Sequence, residues 1–106
     1  MLSIVIPSLN TVEHLRTILS SLFSSTPNYP LDVIVVDMSS MDGTMEMLGN
    51  EFPHVRVIGS VPNHGYGSAA NVGLAEATGD HVLVCNSDLV FPDGSIEQIL
   101  EVLRQT

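Results

Sequence analysis

The chain has 106 residues, 44% of them hydrophobic, with a single cysteine, no lysine, three arginines and a formal net charge of −9. That length suits one domain, or part of one, with a single core. The charge excludes a protein that grips nucleic acid by neutralising several phosphates, because that requires a basic surface. No run reaches the ~20 apolar residues that a membrane span needs, and a lone Cys85 in an apolar run reads as a buried structural thiol rather than half of a disulfide. The N-terminus enters a strand pattern at once, without the basic n-region or small-residue cleavage site of a signal peptide. Cytoplasmic residence, or a position at the inner face of the membrane, is expected.

In chain order, Leu2–Ile6 reads as a buried strand closed by Pro7 and Ser8. Asn10 with Glu13 three residues later has the form of a capping box. Val12, Leu15, Ile18, Leu19, Leu22 and Phe23 recur at helical spacing, which predicts a helix over about 11–24. Ser25–Pro30 reads as a loop. Leu31–Val36 is a strand that delivers Asp37, and its apolar run suits a parallel strand covered on both faces. Asp42-Gly43 marks a turn before a short helix, Thr44–Leu48, and Val55–Ile58 is the third strand. A glycine-containing loop, Asn63–Gly67, opens an alanine-rich helix over about 68–78, stopped by Gly79. His81–Cys85 is the fourth strand and delivers Asn86-Ser87-Asp88. Ile96, Ile99, Leu100 and Leu103 line a last helix that runs almost to Thr106. The alternation βαβαβαβα predicts an α/β fold, with a mostly parallel sheet of about four strands flanked by helices.

Two hydrophobic strands that each end in an acidic residue are the most informative feature. In an open parallel sheet, ligands bind outside the carboxyl ends of the strands. Carboxylates there suit sugar hydroxyls, a base edge or a hard divalent cation. Three segments carry this chemistry. Asp37 stands before the serine-rich turn that holds Ser39 and Asp42, although Asp42 or Thr44 equally suits a plain N-cap. Gly65 and Gly67 permit close backbone approach ahead of a helix N-terminus, and Asn71 is an odd choice inside an alanine-rich helix. The match of Gly65-x-Gly67-x-x-Ala70 to the dinucleotide fingerprint is weak, because that fingerprint belongs directly after the first strand. Asn86 and Asp88 offer an amide and a carboxylate two residues apart. The four histidines lack metal-ligand spacing and read as surface or loop residues, and Met38, Met41, Met45 and Met47 read as fillers of core gaps.

Taken together, Ser3–Asn10, Val35–Thr44, Asn63–Gly73 and Asn86–Asp88 resemble the N-terminal half of family 2 glycosyltransferases, most closely the bacterial rhamnosyltransferase-like members. The resemblance covers essentially the whole chain. It implies a Rossmann-like GT-A half-domain over 1–106 that binds a nucleoside-diphosphate sugar with Mg²⁺ or Mn²⁺. It assigns Pro7, Ser8 and Asn10 to the nucleotide pocket, Asp37 to the base, Asn86 to the ribose and Asp88 to the metal. Ser39, Asp42, Gly65, Gly67 and Asn71 join the nucleotide-sugar set.

The implied function is the donor-binding portion of an inverting glycosyltransferase in polysaccharide or glycoconjugate synthesis. Family members continue into an acceptor-binding half that carries the catalytic base. The expectation is therefore a fragment, or a partner of another chain, that lacks that base and that acceptor segment and leaves apolar surface for a homodimer. A nucleotidyltransferase-like enzyme would want a basic phosphate clamp, which is absent. A regulatory receiver-type module would want paired acids after the first strand and a lysine near the last, and the chain has neither.

Overall fold

Leu2–Ser8 (β1) is buried along its whole length, so its sequence shows an apolar run rather than the alternation of a half-exposed strand. It lies inside a four-stranded sheet with helices on both faces. The structure, a computed structural model, describes residues 1–25, 29–59 and 61–105. In chain order the remaining elements are α1 (Val12–Ser25), β2 (Leu31–Asp37), α2 (Thr44–Glu51), β3 (Arg56–Ile58), α3 (Tyr66–Glu76), β4 (His81–Val84) and α4 (Ser95–Arg104). The strand order is β3-β2-β1-β4. All three pairings are parallel, with Leu2 opposite both Leu31 and His81, Ser8 opposite Asp37, and Val35 opposite Val57.

Strand periodicity sends alternate residues to opposite faces. Leu2, Ile4 and Ile6 of β1, with Val33 and Val35 of β2, pack beneath Leu15, Ile18, Leu19 and Leu22 of α1, Met47 and Leu48 of α2, and Ile96 and Leu100 of α4. Val5, Ile34 and Val36 face the other way, toward Ala69 of α3 with Val72 beside it. α3 lies close to the sheet because Gly73 has no side chain. A Cβ there would stand 2.2 Å from Val5 Cγ1 and 3.1 Å from Val36 Cγ2.

At the N-terminal ends of the strands a buried carboxylate ties four segments together. Asp32 accepts hydrogen bonds from Ser3 Oγ (2.8 Å), Thr78 N (3.1 Å), Thr78 Oγ1 (3.0 Å) and Arg56 (2.9 Å). The Gly79 N–H donates to Ser3 Oγ at 2.7 Å. Burial alone would raise the Asp32 pKa. Arg56, Thr78 and Ser3 outweigh it and hold the group at about 2.

The expected elements are all present, with local differences. α3 starts at Tyr66 rather than Ser68, because Gly65 at φ 96° supplies a turn conformation just before it. α2 continues to Glu51, past the expected end at Leu48. The capping box of Asn10 and Glu13 does not form: Asn10 adopts φ 51° and points its amide elsewhere, while Glu13 pairs with Arg16. Met38 and Met47 are buried as core fillers, but Met41 is 93% exposed and Met45 is also exposed. Cys85 is a buried free thiol, and burial pushes its pKa up to about 11. Residues 26–28 of the expected loop, and Thr106 at the expected end of the last helix, lie outside the described residues. No described helix is long and apolar enough to cross a membrane.

Candidate functional site

β1, β2 and β4 run parallel and so release their loops at one edge of the sheet. The loops after β1 and β2 are cross-braced. Met38 N–H donates to Ser8 O at 2.9 Å. Asn10 N–H donates to Ser40 Oγ (2.8 Å), and Asn10 Oδ1 accepts from Met41 N–H (2.8 Å). Asp42 Oδ2 accepts the first N–H of α1, from Val12, at 2.9 Å. Its other oxygen accepts from Thr44 N–H at 3.2 Å and from the Thr44 hydroxyl. Burial works to raise the Asp42 pKa, and these hydrogen bonds outweigh it and lower the group below its ordinary value. Asp37 is buried, with its oxygens accepting from the Ser40 N–H (3.1 Å) and the Ser40 hydroxyl. Ser39, at φ 64°, donates from its hydroxyl to Val61 O at 3.2 Å.

Four expected site residues, Asn10, Asp37, Ser39 and Asp42, thus hold the loops in shape. Their polar atoms satisfy backbone groups that the tight turns would otherwise leave unpaired. Each carboxylate oxygen has two lone pairs, so Asp37 keeps acceptor capacity beyond Ser40. Ser8 is buried, and its hydroxyl hydrogen-bonds Thr11 Oγ1 at 3.0 Å. Thr11 in turn meets Ser87 Oγ at 2.9 Å, which links the loop after β1 to the loop after β4.

Beside these braces lies a groove of about 410 Å³. Its lining divides by chemistry. Pro7, Leu9, Met38 and Tyr66 are largely apolar, whereas Thr11, His14, Asn86, Ser87 and Asp88 are polar. The position is set by topology. β1, β2 and β3 are laid down side by side, and the chain then crosses back beneath the sheet through α3 to place β4 on the far side of β1. Strand order therefore reverses between β1 and β4, which is where open α/β sheets bind ligands. Burial, with the Cys85 thiol adding to it, raises the Tyr66 phenol pKa, so this ring presents a neutral aromatic surface.

Of the expected residues, Pro7, Asn86 and Asp88 come together in the groove. Gly65 and Gly67 stand at the entry to α3, and apart from their own chain neighbours and helix backbone nothing lies within 4 Å of where a Cβ would be. Asn71 is exposed on α3 and does not line the groove. Leu9, Thr11, His14, Met38, Tyr66 and Ser87 line it without having been expected as site residues. Leu9 and Thr11 follow directly after a strand end, a signal their positions carried. His14, one turn into α1, carried none.

Asp88 and Asn86 are oxygen donors of the kind Mg²⁺ and Mn²⁺ prefer. No three His, Cys, Asp or Glu side chains converge among the described residues. One carboxylate and one amide oxygen would leave most of a cation's shell to be completed by oxygens of a ligand or water.

The profile of Glycosyl transferase family 2 matches residues 3–106. The chain belongs to glycosyltransferase family 2. A dolichol-phosphate mannosyltransferase of Pyrococcus furiosus is 31% identical over 105 residues, covering 96% of this chain and 30% of the relative. An N-acetylglucosaminyl-diphospho-decaprenol L-rhamnosyltransferase of Mycobacterium tuberculosis is 34% identical over 99 residues, covering 83% of this chain and 32% of the relative. This family 2 chain therefore spans about a third of the length of these curated relatives.

Among solved structures, S. aureus TarS 1-349 superposes with a TM-score of 0.83 at 23% identity, over 98% of this chain and 32% of TarS, and bears out the GT-A fold. The mannosyltransferase PcManGT from Pyrobaculum calidifontis, solved with GDP-Man and Mn²⁺, superposes with a TM-score of 0.73 at 25% identity. That match covers 86% of this chain and 28% of PcManGT.

Proposed function

We propose that the groove between β1 and β4 binds a nucleoside-diphosphate sugar together with Mg²⁺ or Mn²⁺. In this reading residues 1–106 form the donor-binding portion of an inverting glycosyltransferase that acts in polysaccharide or glycoconjugate synthesis. The observation that carries it is the meeting of Pro7, Asn86 and Asp88 in one groove at the point where strand order reverses. Family membership and the GDP-Man and Mn²⁺ bound by PcManGT support it.

The apolar part of the lining receives the base, with Pro7, Leu9, Met38 and Tyr66 excluding water from its faces. Asp37, buried at the end of β2 and braced by Ser40, does not line the groove itself. Its assignment to the base requires a base N–H to reach its remaining lone pairs from there. Asn86 is assigned to the ribose, and Asp88 to the cation. A divalent cation bound there offsets the charge of the diphosphate leaving group. The residues described here hold and orient the donor, and the proposal assigns them no part in activating the acceptor hydroxyl, which needs a general base.

Calorimetry with UDP, GDP and dTDP, each with and without Mn²⁺, tests this reading. Wild-type chain is expected to bind at least one nucleotide more tightly with Mn²⁺. Asp88→Ala, a change at an exposed position, is expected to weaken Mn²⁺-assisted binding by about 10–100-fold, the range of a lost contact to a charged group. Mn²⁺-assisted binding that is unchanged in Asp88→Ala would remove the metal assignment.

A further inference from the structure

A nucleoside diphosphate is strongly anionic, yet this chain carries a net charge of −9 and its groove contains a carboxylate. Its arginines are occupied elsewhere. Arg16 pairs with Glu13 and Glu51, Arg56 with Asp32 and Glu76, and Arg104 with Glu101. None of the three lines the groove. Among the described lining residues, His14 alone carries a nitrogen base. It is exposed, and it has no hydrogen-bond, ion-pair or ring partner among the described residues, whereas His54 packs edge-on against Phe23. The neighbouring Glu13 is committed to Arg16, so it does not draw the imidazole away. α1 is fixed at this end by the hydrogen bond from Val12 N–H to Asp42. The His14 ring is therefore presented from a braced helix to the same space as Asn86 and Asp88.

We propose that His14 is a donor-binding residue, whose imidazole N–H hydrogen-bonds a phosphate oxygen of the bound nucleoside diphosphate. The assignment rests on the nucleotide-sugar reading above and adds to it the protein's own nitrogen donor at the phosphates. An imidazole N–H donates to phosphate oxygen in the neutral tautomer as well as in the cation, so no particular protonation state is required.

The test compares wild type, His14→Ala and His14→Gln in titrations with the tightest binder among UDP, GDP and dTDP and with the corresponding nucleoside, in the presence of Mn²⁺. His14→Ala is expected to bind the diphosphate about tenfold more weakly, the effect of one hydrogen bond to a charged group, with nucleoside binding unchanged. His14→Gln, which keeps an N–H donor, is expected to recover part of the loss. In the wild type, with diamagnetic Mg²⁺ in place of Mn²⁺, the His14 ring resonances are expected to shift on adding the diphosphate and to stay in place with the nucleoside. Diphosphate binding by His14→Ala equal to wild type would overturn this inference and leave the nucleotide-sugar reading standing. Equal losses for nucleoside and diphosphate would also overturn it. A wild-type chain that binds none of the three nucleotides would overturn both.

Discussion

Asp42 joins two helices through one carboxylate, taking the first N–H of α1 on one oxygen and the Thr44 N–H and hydroxyl at the start of α2 on the other. Replacing it leaves those donors unpaired and releases the loop after β1 from the loop after β2. Asp42→Ala is expected to cost about 1–2 kcal/mol, read as a lower urea midpoint at unchanged slope. Asp32 gives the matching prediction for pH. Its folded pKa of about 2 lies below the ordinary 3.8, so its ionised form favours the native state. That stabilisation is fully present above the unfolded value and is lost as pH falls from about 4 through 2. Thermal melts over that window are expected to show a smaller acid-induced drop in Asp32→Asn than in wild type, whereas identical slopes would remove Asp32 from the account. The contact of Asp42 with Thr44 at the start of α2 was legible as a capping signal, but the reach of Asp42 to Val12 and the partners of Asp32 were not. Asn10 and Glu13 carry a capping-box spacing, but Asn10 turns to a residue 31 positions away, and local spacing holds no record of such a partner.

Each element follows from its pattern where packing decides it. Leu15, Ile18, Leu19 and Leu22 recur at helical spacing because α1 has one buried face, and all four are in the core. The methionines misled for the complementary reason. Met45 and Met47 lie two residues apart on α2, so one is buried and the other faces solvent. α3 was the least legible helix, since its alanines and glycines give little periodicity and its close approach to β1 depends on Gly73. Gly73→Ala would drive a Cβ into Val5 and Val36 of the central strands. It is expected to cost about 1–3 kcal/mol despite the better helix propensity of alanine. Equilibrium denaturation checks this, and a stabilised variant would contradict the packing described.

At the scale of the molecule, strand order explains why the groove forms where it does. β4 reaches the far side of β1 only because α3 covers the face of the sheet opposite α1, α2 and α4. The sequence made the strand-end acids and the parallel sheet visible. It did not show which loops would meet, because Thr11 and Ser87, 76 positions apart, are joined by the folded sheet rather than by any local pattern. A second cavity, of about 170 Å³ among Met1, Tyr29, Asp80, His81 and Arg104, lies at the opposite end of the strands and supplies an internal control. The most direct test of nucleotide-sugar binding is an NMR titration of the backbone amides with UDP, GDP or dTDP in the presence of Mg²⁺. Shifts are expected to concentrate at Leu9, Thr11, Met38, Tyr66 and Asn86–Asp88. Shifts concentrated instead around Met1, Asp80 and Arg104, or no saturable shift with any of the three nucleotides, would contradict the account.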